Sequence, residues 1–179
     1  MLKIVLITLA VIVVVFVIVV ALQPATFMVT RSITMAAPPA IVFEQVNDLR
    51  KWDAWSPWAR LDPNAKNTFE GPPAGTGAVC AWSGNNQVGM GRMTITESRT
   101  NELVRFRLEF VKPMAGTSDA EFTFKTQGGQ TAVTWTMTGK NNFIAKAMCL
   151  FMSMDKMAGG QFEKGLANLK NIAEAAAKK

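Results

Sequence analysis

The sequence contains no histidine and no tyrosine, and only two of its 179 residues are cysteine. Without histidine, the chain cannot build a Ser-His-Asp or Cys-His relay, a histidine general base or a histidine-ligated metal site. Without tyrosine it has no phenolic acid or base. Two cysteines cannot complete a zinc site alone and can form at most one disulfide. The sequence therefore predicts no metal and no cofactor, and it singles out no catalytic residue.

Charge is also sparse, since only 18% of the residues are charged and the formal net charge is +6. The basic residues are interspersed along the chain and form no lysine or arginine block, so nucleic acid is not a predicted partner. A solvated basic surface is the favoured interpretation, and attraction to anionic lipid headgroups is the second.

Apolar residues are abundant, at 49% of the chain, and residues 4–22 form one apolar run that only Thr8 interrupts. As a helix, about 19 residues span ~28 Å, close to the hydrocarbon thickness of a bilayer. A cleaved signal peptide is the alternative, because Val19-Val20-Ala21 resembles a cleavage site. The run is longer than a signal core, however, and Lys3 is its only basic flank, so an uncleaved anchor is favoured.

The chain thus divides into an anchor with a short tether, residues 1–24, and one folded domain, residues 25–179. Lys3 and the terminal amine predict a cytoplasmic N-terminus and an extracytoplasmic domain, which would be periplasmic in a bacterium. The tether reaches about 14 Å at full extension, so the domain is expected to lie close to the membrane.

The domain opens with a predicted strand at residues 27–35 and two short helices, at 40–46 and from 47 to 55. Predicted strands follow at 79–83, 89–97, 103–111, 119–126 and 131–138, and Gly128-Gly129 suits a hairpin turn between the last two. Alternation of apolar and polar residues predicts an antiparallel sheet with one buried face.

The last part of the chain returns to a helical period. Residues 143–152 are apolar, and from residue 155 the apolar side chains Phe162, Leu166, Leu169 and Ile172 recur on one face. The sheet is the only large apolar partner for this helix, so an α+β pair of layers is predicted, with a hollow between them in which a ligand could bind.

Particular residues accompany this order of elements: Arg31-Ser32-Ile33 with Ala37-Pro38-Pro39, Trp52-x-x-Trp55-Ser56-Pro57-Trp58, Trp82-x-Gly84-Asn85 and Phe162-Glu163-x-Gly165-Leu166. Together they resemble the START-like superfamily (SRPBCC, polyketide cyclase/dehydrase-type, Bet v 1-like) over residues 28–172. The resemblance implies a helix-grip fold, in which a curved antiparallel sheet of about seven strands wraps a long C-terminal helix. It also implies a cavity for a hydrophobic ligand beneath that helix, without implying a reaction.

Aromatic and soft apolar side chains along the sheet and the last helix are the candidate lining of that cavity. The predicted ligand-binding residues are Trp55, Trp58, Trp82, Met93, Phe106, Leu108, Phe122, Trp135, Met137, Met157 and Phe162. Ordinary core packing is the competing interpretation of the same residues. Met148, Met152, Met154 and Met157 are expected to face Met93 and Met137 across the hollow.

The leading hypothesis is a membrane-anchored domain that binds a hydrophobic small molecule or lipid without transforming it. One alternative is a cyclase- or dehydratase-like enzyme that uses acidic and arginine side chains, with Asp53, Glu70 and Arg92 as candidates, although exposed or paired charges are the favoured interpretation of these three. The other is a structural or signalling module whose interior is filled by its own side chains. Cys80 and Cys149 are expected to be free thiols rather than a disulfide.

Overall fold

A computed structural model describes residues 1–178. The chain begins with helix α1, Leu2–Ala21, which is long and apolar enough to cross a bilayer. Its side chains are exposed along almost its whole length, but Val20 is buried where the helix meets the folded domain. A helix of this kind can serve as a membrane anchor or as a signal sequence.

Seven strands form one antiparallel sheet. The strands are β1 (Thr26–Met35), β2 (Lys66–Glu70), β3 (Val79–Ser83), β4 (Met90–Arg99), β5 (Leu103–Lys112), β6 (Gly116–Gln127) and β7 (Gln130–Lys140). Their order across the sheet is β1-β7-β6-β5-β4-β3-β2. The register between β4 and β5 shifts at two places, and such bulges increase the bend of a sheet.

Three further helices belong to the domain: α2 (Pro39–Asn47), α3 (Phe143–Cys149) and α4 (Met154–Ala176). Two 3₁₀ helices, Leu49–Ala54 and Pro57–Arg60, follow α2. Local residues fix these boundaries. Pro39 occupies the first turn of α2, the Asp48 side chain accepts a hydrogen bond from the Arg50 amide, and Ser153 caps α4 by accepting one from the Lys156 amide.

Helix α4 covers the inner face of the sheet. It packs on β1, on α2 and on the second 3₁₀ helix, and its buried stripe includes Phe162, Leu166, Leu169 and Ala173. The outer face of the sheet is wet and carries cross-strand ion pairs, such as Arg107 to Asp119 at 2.9 Å. The predicted helix-grip fold is confirmed, with the core between α4 and the sheet.

The junction between α1 and the domain is fastened by hydrogen bonds. Asn141, just after β7, donates from its amide to Ala25 O at 2.9 Å and from Nδ2 to Pro24 O at 3.0 Å. Lys146 of α3 donates from Nζ to Ala21 O at 3.1 Å. The tether of residues 22–25 is therefore pinned to the end of β7 and to α3.

Candidate ligand-binding site

A stack of three aromatic rings occupies the space between the sheet and α4. Phe122 of β6 and Trp135 of β7 are directly paired across the two strands, and their ring centroids lie 4.7 Å apart. Phe162 of α4 stacks on Trp135 at 3.9 Å, with 8° between the ring planes. The Trp135 ring is thus held between one ring from the sheet and one from the helix.

Three tryptophans in and directly beside the 3₁₀ helices surround this stack. Trp55 lies 5.9 Å from Trp135 and 6.0 Å from Phe122 in edge-on geometry, and Trp58 lies 5.9 Å from Trp135. Trp52 lies 4.5 Å from Trp55 and also contacts Phe106 at 5.4 Å. Edge-to-face and stacked pairs of this kind are favourable arrangements of aromatic rings. We call Trp52, Trp55, Trp58, Phe106, Phe122, Trp135 and Phe162 the aromatic cluster.

The indole N–H of Trp135 is unusual within the cluster. It is buried and has no hydrogen-bond partner among residues 1–178. By contrast, Trp52 donates to Val46 O at 2.9 Å and Trp55 donates to Gln45 O at 3.1 Å. A buried donor left without an acceptor costs about 1–3 kcal/mol. The centre of the cluster therefore offers one unused hydrogen-bond donor in an apolar setting.

Two glycines let α4 approach the sheet closely. A Cβ at Gly165 would lie 3.0 Å from Trp135 Cζ3 and 3.1 Å from Pro57 Cδ, and a Cβ at Gly159 would overlap the Arg31 guanidinium. Glycine inside a helix costs about 1 kcal/mol relative to alanine. Gly159, Gly160 and Gly165 all lie in the N-terminal half of α4, which is consequently the half with the weaker intrinsic helix preference.

The same half of α4 is held to β1 by ion pairs. Arg31, which alternation places on the inner face of β1 with Val29 and Ile33, contacts Asp155 at 2.8 Å and Glu163 at 2.7 Å. The hydrogen bonds to these carboxylates raise the pKa of the Arg31 guanidinium. The bond from Arg31 lowers the pKa of the Asp155 carboxyl below its ordinary value. We call Arg31, Asp155 and Glu163 the ion-pair latch.

The C-terminal half of α4 is fastened to the other end of β1. Lys170 donates from Nζ to Thr34 O at 2.8 Å, and the Ala36 amide donates to Glu174 Oε1 at 2.7 Å. The hydrogen bond from Lys170, followed by that from the Ala36 amide, lowers the pKa of the Glu174 carboxyl. This half buries three apolar side chains, Leu166, Leu169 and Ala173, whereas the N-terminal half buries Phe162.

The predicted ligand-binding residues separate into three groups in the structure. Those in the aromatic cluster are Trp55, Trp58, Phe106, Phe122, Trp135 and Phe162. Elsewhere on the sheet, Met93 is part of the buried core, and Trp82, Leu108 and Met137 pack against that core, with Trp82 5.9 Å from Phe110. Met157 lies apart from both groups and is 41% exposed.

Two parts of the site were absent from the sequence-based set of ligand-binding residues. Trp52 belongs to the centre of the aromatic cluster, and the helical spacing of Trp52 and Trp55 could have indicated it. Arg31 could have been found because it occupies an inward position in the alternation of β1, where a charged side chain needs a partner.

The prediction that methionines of the C-terminal region face Met93 and Met137 across the interior is wrong for most of them. Met154 packs against the core, but Met148 and Met152 are 39% and 50% exposed and do not face Met93 or Met137 across the interior. The reason is that α3 sits beside the end of α1 rather than under the sheet, and every residue of α3 is exposed or half-buried.

The candidate acid–base residues lie outside the aromatic cluster. Asp53 is exposed and accepts a hydrogen bond from Asn67 at 3.0 Å, while Arg92 lies 3.5 Å from Glu70 on the surface. Within residues 1–178, no group of three or more histidine, cysteine, aspartate or glutamate residues could hold a metal ion. Cys80 and Cys149 are free, and burial raises the pKa of the Cys80 thiol to about 11.

The clefts on the surface of residues 1–178 include the following two. One, of about 420 Å³, lies on the outer face of the sheet and is lined by Thr96, Arg105, Glu121 and Thr136 among others. The other, of about 240 Å³, lies where the tether, β1 and the α3–α4 corner meet, and its lining includes Phe27, Cys149 and Met154. The second cleft adjoins the end of α4 that carries the ion-pair latch.

Comparison with known proteins adds a family and a fold. The family model described as "Polyketide cyclase / dehydrase and lipid transport" matches residues 26–174. No curated protein matches the chain.

Several solved structures share the fold. The Zhui aromatase/cyclase from a Streptomyces species is 16% identical, with a TM-score of 0.61 over 83% of this chain and 94% of that one. Protein CV1439 from Chromobacterium violaceum is 14% identical, with a TM-score of 0.59 over 85% and 99% of the two chains. Ara h 8.0201 is 10% identical, with a TM-score of 0.55 over 85% and 97%. At these identities the likeness concerns the fold.

Proposed function

Because the chain belongs to the polyketide cyclase/dehydrase and lipid transport family, whose domains bind or transform hydrophobic ligands, we propose that it is a membrane-anchored protein that binds a hydrophobic small molecule or lipid between the sheet and α4. The observation that carries the proposal is the unpartnered Trp135 N–H at the centre of the aromatic cluster. An oxygen atom of a bound ligand would satisfy this donor.

The ligand would enter by displacing Phe162 from Trp135. In the closed arrangement the two rings are in contact, so binding requires the N-terminal half of α4 to move away from the sheet. That half contains the three glycines and is held by the ion-pair latch, whereas the other half is held by buried leucines. Phe162 is the one large apolar side chain that the N-terminal half buries, and local opening begins where the fewest such side chains are buried.

The chemistry of the cluster defines the class of ligand. Its rings offer flat apolar surfaces, its buried polar group without a partner is the Trp135 donor, and the charged side chains of the latch are already paired with each other. An uncharged ligand with an acyl or aromatic body and one carbonyl, hydroxyl or ester oxygen fits these features, because a charge would be costly to bury there.

The enzymatic alternative is a cyclase- or dehydratase-like reaction. The family description and the likeness to the Zhui aromatase/cyclase support it. In this chain, however, Asp53, Glu70 and Arg92 lie outside the aromatic cluster, and Asp155 and Glu163 are engaged by Arg31. We therefore favour binding without transformation.

Photo-cross-linking tests the proposal with the full chain in lipid nanodiscs. The probe is a diazirine-bearing long-chain fatty alcohol, which is uncharged and carries one oxygen. Binding predicts cross-links in the peptides that contain Trp135 and Phe162. Cross-links confined to α1 and the domain surface would mean that the interior is closed by its own side chains, as in a structural module, and the proposal would be wrong.

The variant Trp135→Phe tests the role of the N–H. It should lower cross-linking to the Phe162 peptide by about two- to tenfold, the equivalent of one neutral hydrogen bond. Trp55→Phe is the matched control, because it removes the same part of a ring in the same cluster but its N–H already has a partner in Gln45 O. Equal effects of the two variants would contradict a hydrogen bond between Trp135 and the ligand.

A further inference from the structure

Exposed apolar side chains outside α1 are concentrated in a few segments. Among residues 22–178, ten large apolar side chains are exposed: Leu22, Met28, Val111, Met114, Phe143, Ile144, Met148, Phe151, Met152 and Met157. Phe151 is the extreme case, with 88% of its surface exposed. A soluble surface seldom gathers so many apolar side chains in one region, and such gatherings mark contact surfaces.

The strand register places all of these segments at one end of the sheet. Thr26 at the start of β1 pairs with Lys140 at the end of β7, and Phe110 near the end of β5 pairs with Gly116 at the start of β6. The tether, the β5–β6 turn, α3 and the first turn of α4 therefore share the end at which α1 joins. We call this end the basal surface.

The opposite end of the sheet has a different character. The β6–β7 turn at Gly128-Gly129 lies there, and Lys125, Thr126, Gln127 and Gln130 around it are exposed and polar. The two ends of one domain thus differ sharply in polarity, and the apolar end is the one nearest the apolar helix.

Helix α3 is the centre of the basal surface. Phe143 and Ile144 are 50% and 59% exposed, and the segment that follows α3 adds Phe151 and Met152. The helix contacts α1, and Lys146 donates to the last carbonyl of α1. The apolar side chains of residues 143–152 therefore continue directly from the end of the apolar surface of α1.

Lysines accompany the apolar side chains. Lys112, Lys140, Lys146 and Lys156 all lie in the basal segments, and none of them forms an ion pair with a carboxylate of residues 1–178. Asp155, the acidic residue beside Lys156, is already paired with Arg31. Apolar side chains beside lysines that have no carboxylate partner are the composition of segments that lie in the headgroup region of a bilayer.

We propose that the basal surface rests on the phospholipid bilayer that α1 spans, with residues 143–152 inserted at the boundary between headgroups and acyl chains. This inference rests on the proposed anchoring and adds a second, independent contact with the lipid. The lysines would lie among the phosphates, while Ile144 and Phe151 would lie below them, as in other interfacial helices.

Spin-label accessibility tests the contact with the full chain in nanodiscs of phosphatidylcholine and phosphatidylglycerol. One surface cysteine is introduced as Ile144→Cys or Phe151→Cys on a Cys149→Ala background, which leaves the buried Cys80 as the other cysteine. Ile144 and Phe151 are exposed, so their replacement retains the fold. Labels at 144 and 151 should collide several times more often with oxygen than with a water-soluble nickel complex. Gln127→Cys, at the opposite end, is the control and should show the reverse.

A label at Ile12→Cys, in the middle of α1, separates this proposal from the anchoring on which it rests. If the label at position 12 is in lipid while the labels at 144 and 151 are as accessible to the nickel complex as the label at 127, the anchoring holds and the basal contact is wrong. If all four sites are wet, both are wrong. A basal surface that is wet in pure lipid would instead be a surface for a protein partner or a second copy.

Discussion

At the scale of single residues, the two cysteines illustrate how burial controls reactivity. Cys80 pairs with Met93 across β3 and β4 and is buried, whereas Cys149 in α3 is half-buried. Burial, and then the negative charge of Asp53, raise the pKa of the Cys80 thiol to about 11. Because the thiolate is the reactive form, Cys80 is expected to be inert in the folded chain.

Maleimide labelling at pH 8 checks this expectation. In the Cys149→Ala chain, Cys80 should remain unlabelled during a period in which the denatured chain reacts completely. Because pH 8 is well below the Cys80 pKa of about 11, the thiol stays protonated and unreactive in the folded chain. Rapid labelling of the folded chain would contradict the burial of β3 in the core.

The sequence predicted which aromatic side chains of the strands face inwards but not how they are arranged. Alternation in β5 correctly placed Val104 and Phe106 on the inner face. Whether Trp135 lines an open cavity or touches Phe162 depends on the distance between α4 and the sheet. That distance is set by Gly165 and Pro57, which lie far from Trp135 in the sequence.

At the scale of elements, α4 combines two kinds of attachment. Its C-terminal half buries Leu166, Leu169 and Ala173, and its N-terminal half combines the stacked ring of Phe162 with the ion-pair latch to β1. The pKa of Asp155 is lowered by its bond to Arg31, so its contribution to stability is complete above the ordinary pKa near 3.8. It is lost as the pH falls below that value through the lowered pKa.

Amide hydrogen exchange of residues 154–165 measures the latch. After correction for intrinsic rates, these amides should exchange faster at pH 3 than at pH 6. Asp155 released from Arg31 returns to its ordinary pKa near 3.8 and takes up a proton at pH 3, which favours the opened state. In the Asp155→Asn variant, the same amides should exchange faster than in the unaltered chain even at pH 6. Asp119→Asn, which removes the partner of Arg107 on the outer face, is the control and should leave α4 unchanged. Identical exchange in Asp155→Asn and the unaltered chain would show that the ion-pair latch does not hold the N-terminal half of α4.

Elements with a strong period were predicted, and elements without one were not. The stripe of Phe162, Leu166 and Leu169 indicated α4, and Gly128-Gly129 forms the predicted turn between β6 and β7. Strand β2, Lys66–Glu70, was not located, because it is an edge strand in which Phe69 is the sole large apolar residue. The first 3₁₀ helix, Leu49–Ala54, was expected as an ordinary short helix, since sequence spacing does not distinguish the two types. The second, Pro57–Arg60, was not predicted, because Ser56-Pro57 indicates the end of a helical region.

At the scale of the whole molecule, the state of α1 decides where the domain works. The anchor and the cleaved signal peptide make different predictions for the mature protein. An anchor predicts that the chain stays in the membrane fraction after an alkaline carbonate wash and has the intact mass of 19.5 kDa. A soluble protein shortened by its first 21 residues would exclude the anchor, and the shortened mass measured by mass spectrometry would show it.

The pinned tether has a consequence for how quickly a ligand is found. Asn141 and Lys146 hold the backbone of residues 21–25, so an anchored domain cannot swing freely away from its helix. A ligand dissolved in the lipid would then meet the protein by lateral diffusion in two dimensions. Loading of the protein would depend on the mole fraction of the ligand in the bilayer. Diluting the membranes with buffer, at constant lipid composition, would leave the loading unchanged.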